Sequence, residues 1–215
     1  MTATTVEFYF DPISPYAWLA SEQLDSIAEA GGQIVCRPIL FAALLNACGT
    51  TGPAEVPVKR AYAFRDVMRQ AKRLGLPFRG PPAHPFNPLA ALRTICAVED
   101  RAQRLKLTRH LLAAIWREGV DVSDADALRE VLQNGGFDAV NLIVAATAGE
   151  VKQRLRSATQ EAIDLGIFGV PTFRLRGELF WGADRVDTVV WALRGGTIDG
   201  SLYENVLARP ASAKR

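Results

Sequence analysis

The sequence contains no Cys-x-x-Cys pair. Its three cysteines, Cys36, Cys48 and Cys96, are odd in number and widely spaced, which argues against both a disulfide framework and a dithiol redox site. Each is expected to pack as a small buried hydrophobe. An excess of one charge is also lacking. The 25 basic and 23 acidic residues leave a net charge of +2 over 215 residues, too balanced to suggest nucleic acid as a partner. No segment approaches the roughly 18 uninterrupted apolar residues of a membrane span. The N-terminus has no basic region leading into an apolar stretch, as a secretion signal would. The cytoplasm is therefore the expected compartment, with neither a membrane nor a nucleic acid as partner, and no metal site is expected.

What remains is the composition of a globular chain, 49% apolar and 22% charged, long enough for one domain with an insertion or for two small ones. Residues 6–10 alternate and are rich in aromatic and β-branched types, so they read as a buried strand. Asp11, Pro12 and Ile13 form a turn. Ser14 then takes the N-cap and Pro15 the first helical position, where a missing N–H costs nothing. A hydroxyl there can stabilise an anion, because unpaired N–H groups point the same way; an ordinary capping serine is the plainer reading. Helical spacing continues to residue 30 and stops at Gly31-Gly32. Residues 33–38 read as a second strand, which makes a βαβ unit with parallel strands and a right-handed crossover.

Residues 41–47 suggest a short helix, followed by a Gly/Pro-rich loop over 49–57. A strong helix pattern covers 58–74, and a proline-rich irregular loop covers 78–88. Residues 89–166 are helical almost throughout, with breaks expected near Gln103, 119–123, 134–136 and Gly149. Ser123 with Asp126, and Gly136 with Asp138, mark helix starts. Basic residues gather at Lys59, Arg60, Arg65, Arg69, Lys72, Arg73 and Arg79, which is either a solvated face or a field drawing an anion toward a cleft. Residues 172–175 and 178–181 read as antiparallel strands joined at Arg176-Gly177. Residues 184–193 form a closing helix, and the rest trails off, with 211–215 expected to be disordered. Trp18, Trp116, Trp181 and Trp191 are expected in the core. The order predicts an α/β fold: a thioredoxin-like βαβ…ββα sheet with an all-helical insertion. The expected division is 1–40 with 165–200 as the thioredoxin-like part, 41–164 as the helical insertion and 201–215 as a tail.

A glycine turn before Val170-Pro171, at the start of a strand, invites a cis peptide bond. Such a bond would present the Val170 backbone to an extended peptide as an added strand. Three segments jointly carry a resemblance: Phe10-Asp11-Pro12-Ile13-Ser14-Pro15-Tyr16, Gly166-Ile167-Phe168-Gly169-Val170-Pro171-Thr172-Phe173 and Phe180-Trp181-Gly182-Ala183-Asp184-Arg185. They resemble the 2-hydroxychromene-2-carboxylate isomerases and kappa-class glutathione transferases, relatives of the DsbA-type thioredoxin-fold proteins. The segment from Lys59-Arg60-Ala61-Tyr62 to Leu76-Pro77 is similar too. The resemblance implies glutathione as cofactor and Ser14 as the active serine, where a redox relative carries cysteine. It also implies Val170-Pro171 as the cis-proline pair and Trp181, Gly182, Ala183 and Asp184 as the turn that clamps glutathione. Asp184 would accept from the γ-glutamyl ammonium, or serve as a helix N-cap. The cofactor's sulfur would lie beside Ser14, whose hydroxyl and helix terminus lower a thiol pKa from about 8.5 toward neutrality.

The substrate side departs from the family pattern. Leu45 stands where the isomerases carry a lysine, Glu55 falls near their asparagine and His84 falls near a tyrosine. Lys59 and Arg60 are candidates to supply the missing charge. Tyr16 is a candidate lining residue at the sulfur. His84 is a candidate acid–base group, since histidine titrates near neutrality, or a structural residue of its loop. His110 reads as a packing or surface residue. The expected function is a glutathione-dependent isomerase, acting by reversible thiolate addition to a small unsaturated substrate of an aromatic pathway, and the expected assembly is a homodimer. A kappa-like transferase or peroxidase, a DsbA-type thiol–disulfide oxidoreductase and a non-catalytic scaffold are the alternatives.

Overall fold

The computed structural model describes residues 4–210 and residue 212; the disorder expected over 211–215 falls on residues that lie, all but one, outside the described ones. Strand β1 (Thr4–Phe10), helices α1 (Pro15–Ser21) and α2 (Leu24–Glu29), and strand β2 (Gly32–Pro38) form the first unit. β1 and β2 pair in parallel, from Thr4 opposite Gly32 to Phe10 opposite Pro38. The single helix expected over 14–30 is two. Ser21 Oγ donates to Trp18 O at 2.8 Å and Gln23 Nε2 to Leu19 O at 2.9 Å. Side chains that bond nearby carbonyls in this way favour a break over continued helix.

The middle of the chain supplies α3 (Phe41–Ala47), α4 (Pro57–Arg73), α5 (Leu89–Ala97), α6 (Arg101–Ala113), α7 (Ala125–Asn134), α8 (Ala139–Thr147) and α9 (Gly149–Asp164). The break expected near Gln103 lies earlier, between α5 and α6. Asp100 creates it by accepting the Gln103 N–H at 2.8 Å, so Gln103 sits inside the helix. Likewise Asp124, not Ser123, caps α7, accepting from the Asp126 and Ala127 N–H groups at 3.1 and 2.8 Å. The Ser123 hydroxyl is occupied by Asp121. Asp138 caps α8 by accepting from Asn141 N at 3.1 Å. Beyond α6 the helix widens into a π turn over Ala114–Glu118 and ends at Gly119, φ 80°. A side chain there would meet the Gly80 carbonyl at 2.8 Å, so this close approach of the 78–88 loop requires glycine.

The chain then returns as β3 (Thr172–Leu175) and β4 (Glu178–Trp181), an antiparallel hairpin turning at Arg176 and Gly177, both at positive φ. β3 pairs antiparallel with β1, and the sheet order is β2-β1-β3-β4. A 3-10 turn, Ala183–Arg185, leads into α10 (Val186–Leu193). Asp184 sits within that turn and does not cap α10. The stretch expected to trail off contains one helix that was not foreseen, the eight-residue α11 (Gly200–Leu207), capped by Asp199, which accepts from Ser201 N and Leu202 N. Among the described residues no helix is long and apolar enough to cross a membrane.

The core gathers on β1 and β3. Phe8 stacks on Phe10 and Phe173 at 5.0 and 5.2 Å, and Trp18, Val67, Leu111 and Leu132 join the same buried cluster. Helices of the middle segment thus share one core with the sheet. Trp18 and Trp116 are fully buried, but Trp181 and Trp191 are 54% and 46% exposed. Trp181 ends the edge strand, where only one face meets the core. Cys36 and Cys96 are buried as expected, whereas Cys48 follows α3 and is exposed, because that helix turns only Leu44 fully inward. Across the sheet, Glu7 of β1 is bonded by Arg37 of β2 at 2.6 Å and Arg174 of β3 at 2.8 Å. Burial pushes its carboxyl upward, but the two guanidinium groups outweigh this and hold it below the ordinary range. Replacing Phe8 with alanine is expected to lower stability by about 3–5 kcal/mol, measured by urea unfolding; a loss under about 1 kcal/mol would mean the stack is not central.

Candidate active site

The turn between β1 and α1 is fixed by one acid. Asp11 is fully buried. Its backbone carbonyl accepts the Ser14 N–H at 3.0 Å, and Oδ1 accepts the Ile13 N–H at 3.0 Å, an Asx turn. The other oxygen, Oδ2, accepts the N–H of Phe41 at 2.9 Å. Phe41 is the first residue of α3, whose N-cap, Leu40, has no side-chain acceptor to offer. One carboxylate thus joins the turn to the helix opposite it. Two carbonyls of the turn are held as well, Pro12 O by Trp116 Nε1 at 3.0 Å and Ile13 O by His84 Nε2 at 3.0 Å.

Ser14 is 8% exposed. Its Oγ accepts from Ala17 N at 3.3 Å, as an N-cap does, and donates to Val170 O at 3.4 Å. Residues 14 and 170, far apart in sequence, therefore meet through one hydroxyl. The Val170–Pro171 bond is cis. Gly182 N donates to Pro171 O at 2.9 Å, and Thr172 Oγ1 to Gly169 O at 2.7 Å. The N–H groups of Phe168, Gly169 and Val170 donate to no group among the described residues, and neither does that of Tyr16. Trp181 packs edge-on against Phe168 at 4.9 Å. Its indole lies so close over Gly169 that an added Cβ would sit 2.5 Å from Nε1.

A cavity of about 920 Å³ opens beside this junction. Ser14, Tyr16, His84, Val170, Pro171 and Trp181 line it, as do Gly182, Ala183 and Asp184. Of the candidate cofactor and substrate residues, Lys59 alone lies outside it, and of the basic run over 59–79 Arg60 alone lines it; Lys59 is exposed. One residue along a helix turns a side chain by about 100°. Arg60 stands over the Phe64 ring at 5.1 Å, and Nη2 donates to the His84 carbonyl at 3.4 Å. The other lining cation, Arg185, is paired with Asp184 at 3.2 Å. Among the described residues Arg60 has no carboxylate partner. Tyr16 donates its hydroxyl to Asp66 at 3.0 Å, and Gln70 donates to the same oxygen at 2.6 Å. The departures also line the cavity: Leu45 is an apolar wall, and the Glu55 carboxylate is occupied by Gly52 N at 2.8 Å. A second cavity of about 640 Å³, beside Arg37 and Arg154, shares no lining residue with the first. His110 stands apart, its Nε2 2.7 Å from Val131 O.

Sequence reasoning placed Asp11 in the turn but missed its burial and its bond to Phe41. It assigned Trp116 to the core without its bond to Pro12. The Asp-Pro-x-Ser spacing is itself an Asx-turn signal, but what lies 30 or 104 residues away leaves no local trace. Burial raises the Asp11 carboxyl to about 7, with its two backbone N–H bonds pulling the other way. The folded value lies above the unfolded one, so its stabilising contribution is full at low pH and is lost as pH rises through about 7. Wild type should therefore gain thermal stability relative to Asp11→Asn as pH falls from about 8 to 5, read from paired melting curves. His84 is depressed by burial and so acts with the opposite sign, but both proteins share it. Parallel curves would show that Asp11 does not titrate here.

Known proteins align with this chain over nearly its whole length. The family model described as the DSBA-like thioredoxin domain matches residues 5–194. A 2-hydroxychromene-2-carboxylate isomerase of Pseudomonas putida is 30% identical over 186 residues, 84% of this chain and 90% of the relative. Glutathione S-transferase kappa 1 of Rattus norvegicus is 25% identical over 203 residues, 87% of this chain and 90% of the relative. A solved 2-hydroxychromene-2-carboxylate isomerase superposes with a TM-score of 0.82 at 26% identity, covering 96% of this chain and all 100% of that one.

Proposed function

We propose that this chain, which belongs to the DSBA-like thioredoxin domain family and stands among its 2-hydroxychromene-2-carboxylate isomerases and kappa-class glutathione transferases, is a glutathione-dependent isomerase. The observation that carries the reading is the junction of Ser14 with Val170: a hydroxyl at a helix start faces a stretch of backbone whose N–H groups have no partner among the described residues. Position 14 offers no thiol, so the sulfur must arrive with a ligand. An extended peptide fits that backbone.

The residues divide the work by chemistry. Val170 N–H, and the lone pair of its carbonyl left over from Ser14, suit strand-like pairing with the cysteine unit of glutathione. Asp184, more than half exposed at the rim, is placed to accept from an ammonium by exchanging its Arg185 partner, a charge-assisted bond. The Tyr16 N–H, and the Ser14 hydroxyl once it turns from Val170 O to the sulfur, are the donors available to a thiolate, and donors to the charged form lower a thiol pKa. Glutathione bound in this way supplies a nucleophilic sulfur, whose reversible addition to a conjugated double bond lets that bond rotate. Phe41, Leu45, Phe64 and Phe86 give the cavity apolar walls for an aromatic-pathway substrate. Arg60, with no carboxylate partner, takes the anionic end in place of the lysine that Leu45 replaces. The reading includes a cytoplasmic homodimer.

Calorimetry with reduced glutathione tests the reading directly. Binding is expected below about 1 mM, and its absence at millimolar concentration would overturn the proposal. Asp184→Asn is expected to weaken binding by about 10-fold to 100-fold, the loss of a charge-assisted bond of roughly 1.5–3 kcal/mol. Ser14→Ala should leave affinity within about tenfold while returning the bound thiol toward its ordinary pKa near 8.5, read from thiolate absorbance. If an acceptor consumes glutathione without releasing it, the reaction is transfer rather than isomerisation.

A further inference from the structure

The helical segment grips the Ser14 turn through two ring N–H groups. Trp116 Nε1 donates to Pro12 O, and His84 Nε2 lies 3.0 Å from Ile13 O, the carbonyl next to Ser14. A carbonyl oxygen only accepts, so Nε2 carries the imidazole proton. The second ring nitrogen, Nδ1, is buried and has no hydrogen-bond partner among the described residues. Three aromatic rings surround the imidazole: Phe64 at 5.1 Å, Trp116 at 5.6 Å and Phe86 at 6.5 Å.

Of the charged groups that share the cavity with His84, Arg60 is the one that acts on the ring, and Glu55, Asp66, Asp184 and Arg185 line the same space. Arg60 of α4 bonds the His84 carbonyl, and the Asp11 carboxylate across the turn is occupied by the N–H groups of Ile13 and Phe41. No acceptor awaits a second ring proton, and burial with the nearby Arg60 charge disfavours the imidazolium. An acid–base residue would need a ring nitrogen open to the substrate; here one is shielded and the other is committed. The two donors also belong to one strut. Arg79 N and Gly80 N, at the start of the His84 loop, donate to the Trp116 carbonyl at 3.0 and 3.1 Å.

We propose that His84 is a positioning residue: its Nε2–H, together with Trp116, fixes the carbonyls of residues 12 and 13 and so holds Ser14 in register with Val170. This rests on the proposed function only in taking Ser14 as the group being placed, so the test uses no glutathione.

In a Ser14→Cys protein the introduced thiol reports the setting of the turn. Its titration, followed by thiolate absorbance, is expected below the ordinary value of about 8.5. Adding His84→Phe should raise it by roughly half a unit or more. Adding His84→Gln, whose amide N–H replaces the Nε2 donor without the possibility of charge, should restore most of the shift. Nitrogen NMR of the unaltered protein should show the neutral Nε2–H tautomer. Equal behaviour of the Phe and Gln variants, an introduced thiol of ordinary pKa, or a protonated Nδ1 would each overturn the proposal. If His84→Phe fails to fold, Trp116→Phe in the same background removes the other donor and must shift the thiol in the same direction, or the proposal fails.

Discussion

A single carboxylate at the end of the central strand sets the geometry of the site. Asp11 is buried where β1 leaves the sheet, and its two oxygens accept from Ile13 on one side and Phe41 on the other. A buried acceptor is costly unless it is satisfied, and here each bond does a structural task. The first shapes the turn that delivers Ser14 to a helix start. The second anchors α3, which forms one wall of the cavity. Strand, turn and wall cannot move independently while both bonds hold.

The sheet and the helices contribute different things to this arrangement. β1 and β3 are neighbours in the sheet, so the residues at their ends, Ser14 and Val170, come together although 156 positions separate them. That proximity is a property of topology. The helical segment adds what the sheet cannot: ring N–H donors on the turn carbonyls, and the Phe41, Phe64, Phe86 and Arg60 side chains of the cavity. Its helices bury Val67, Leu111 and Leu132 in the same cluster as Phe8, so the grip on the turn is backed by the core rather than by a loosely attached lobe.

Much of the fold was legible in the sequence because its signals are local. The hairpin at Arg176-Gly177 lies where two residues of positive φ are needed, and the Ser14-Pro15 helix start is a feature of two adjacent positions. Errors arose where a neighbouring side chain decided the outcome. Asp100 and Asp124 took the capping roles expected elsewhere, and Ser21 with Gln23 divided a helix that spacing alone would continue. The site was partly legible for the same reason. Its motifs marked the backbone junction and the Trp181 turn, but Lys59 and Arg60 differ only in which way the helix faces. The burial of Asp11 depends on Phe41, and the role of Trp116 on Pro12. Such relations belong to the folded chain and have no counterpart in composition or period.

Trp181 and Phe168 form the outer side of the cavity, and both are half exposed. Neither belongs to the clusters of buried side chains, whereas the turn beneath them is built into the core. Tolerance to change is thus unevenly distributed across one cavity. Substitutions at the outer positions reshape the cavity with little penalty in folding, while the inner turn permits almost none. A protein built this way can change the shape of its cavity while keeping the turn beneath it.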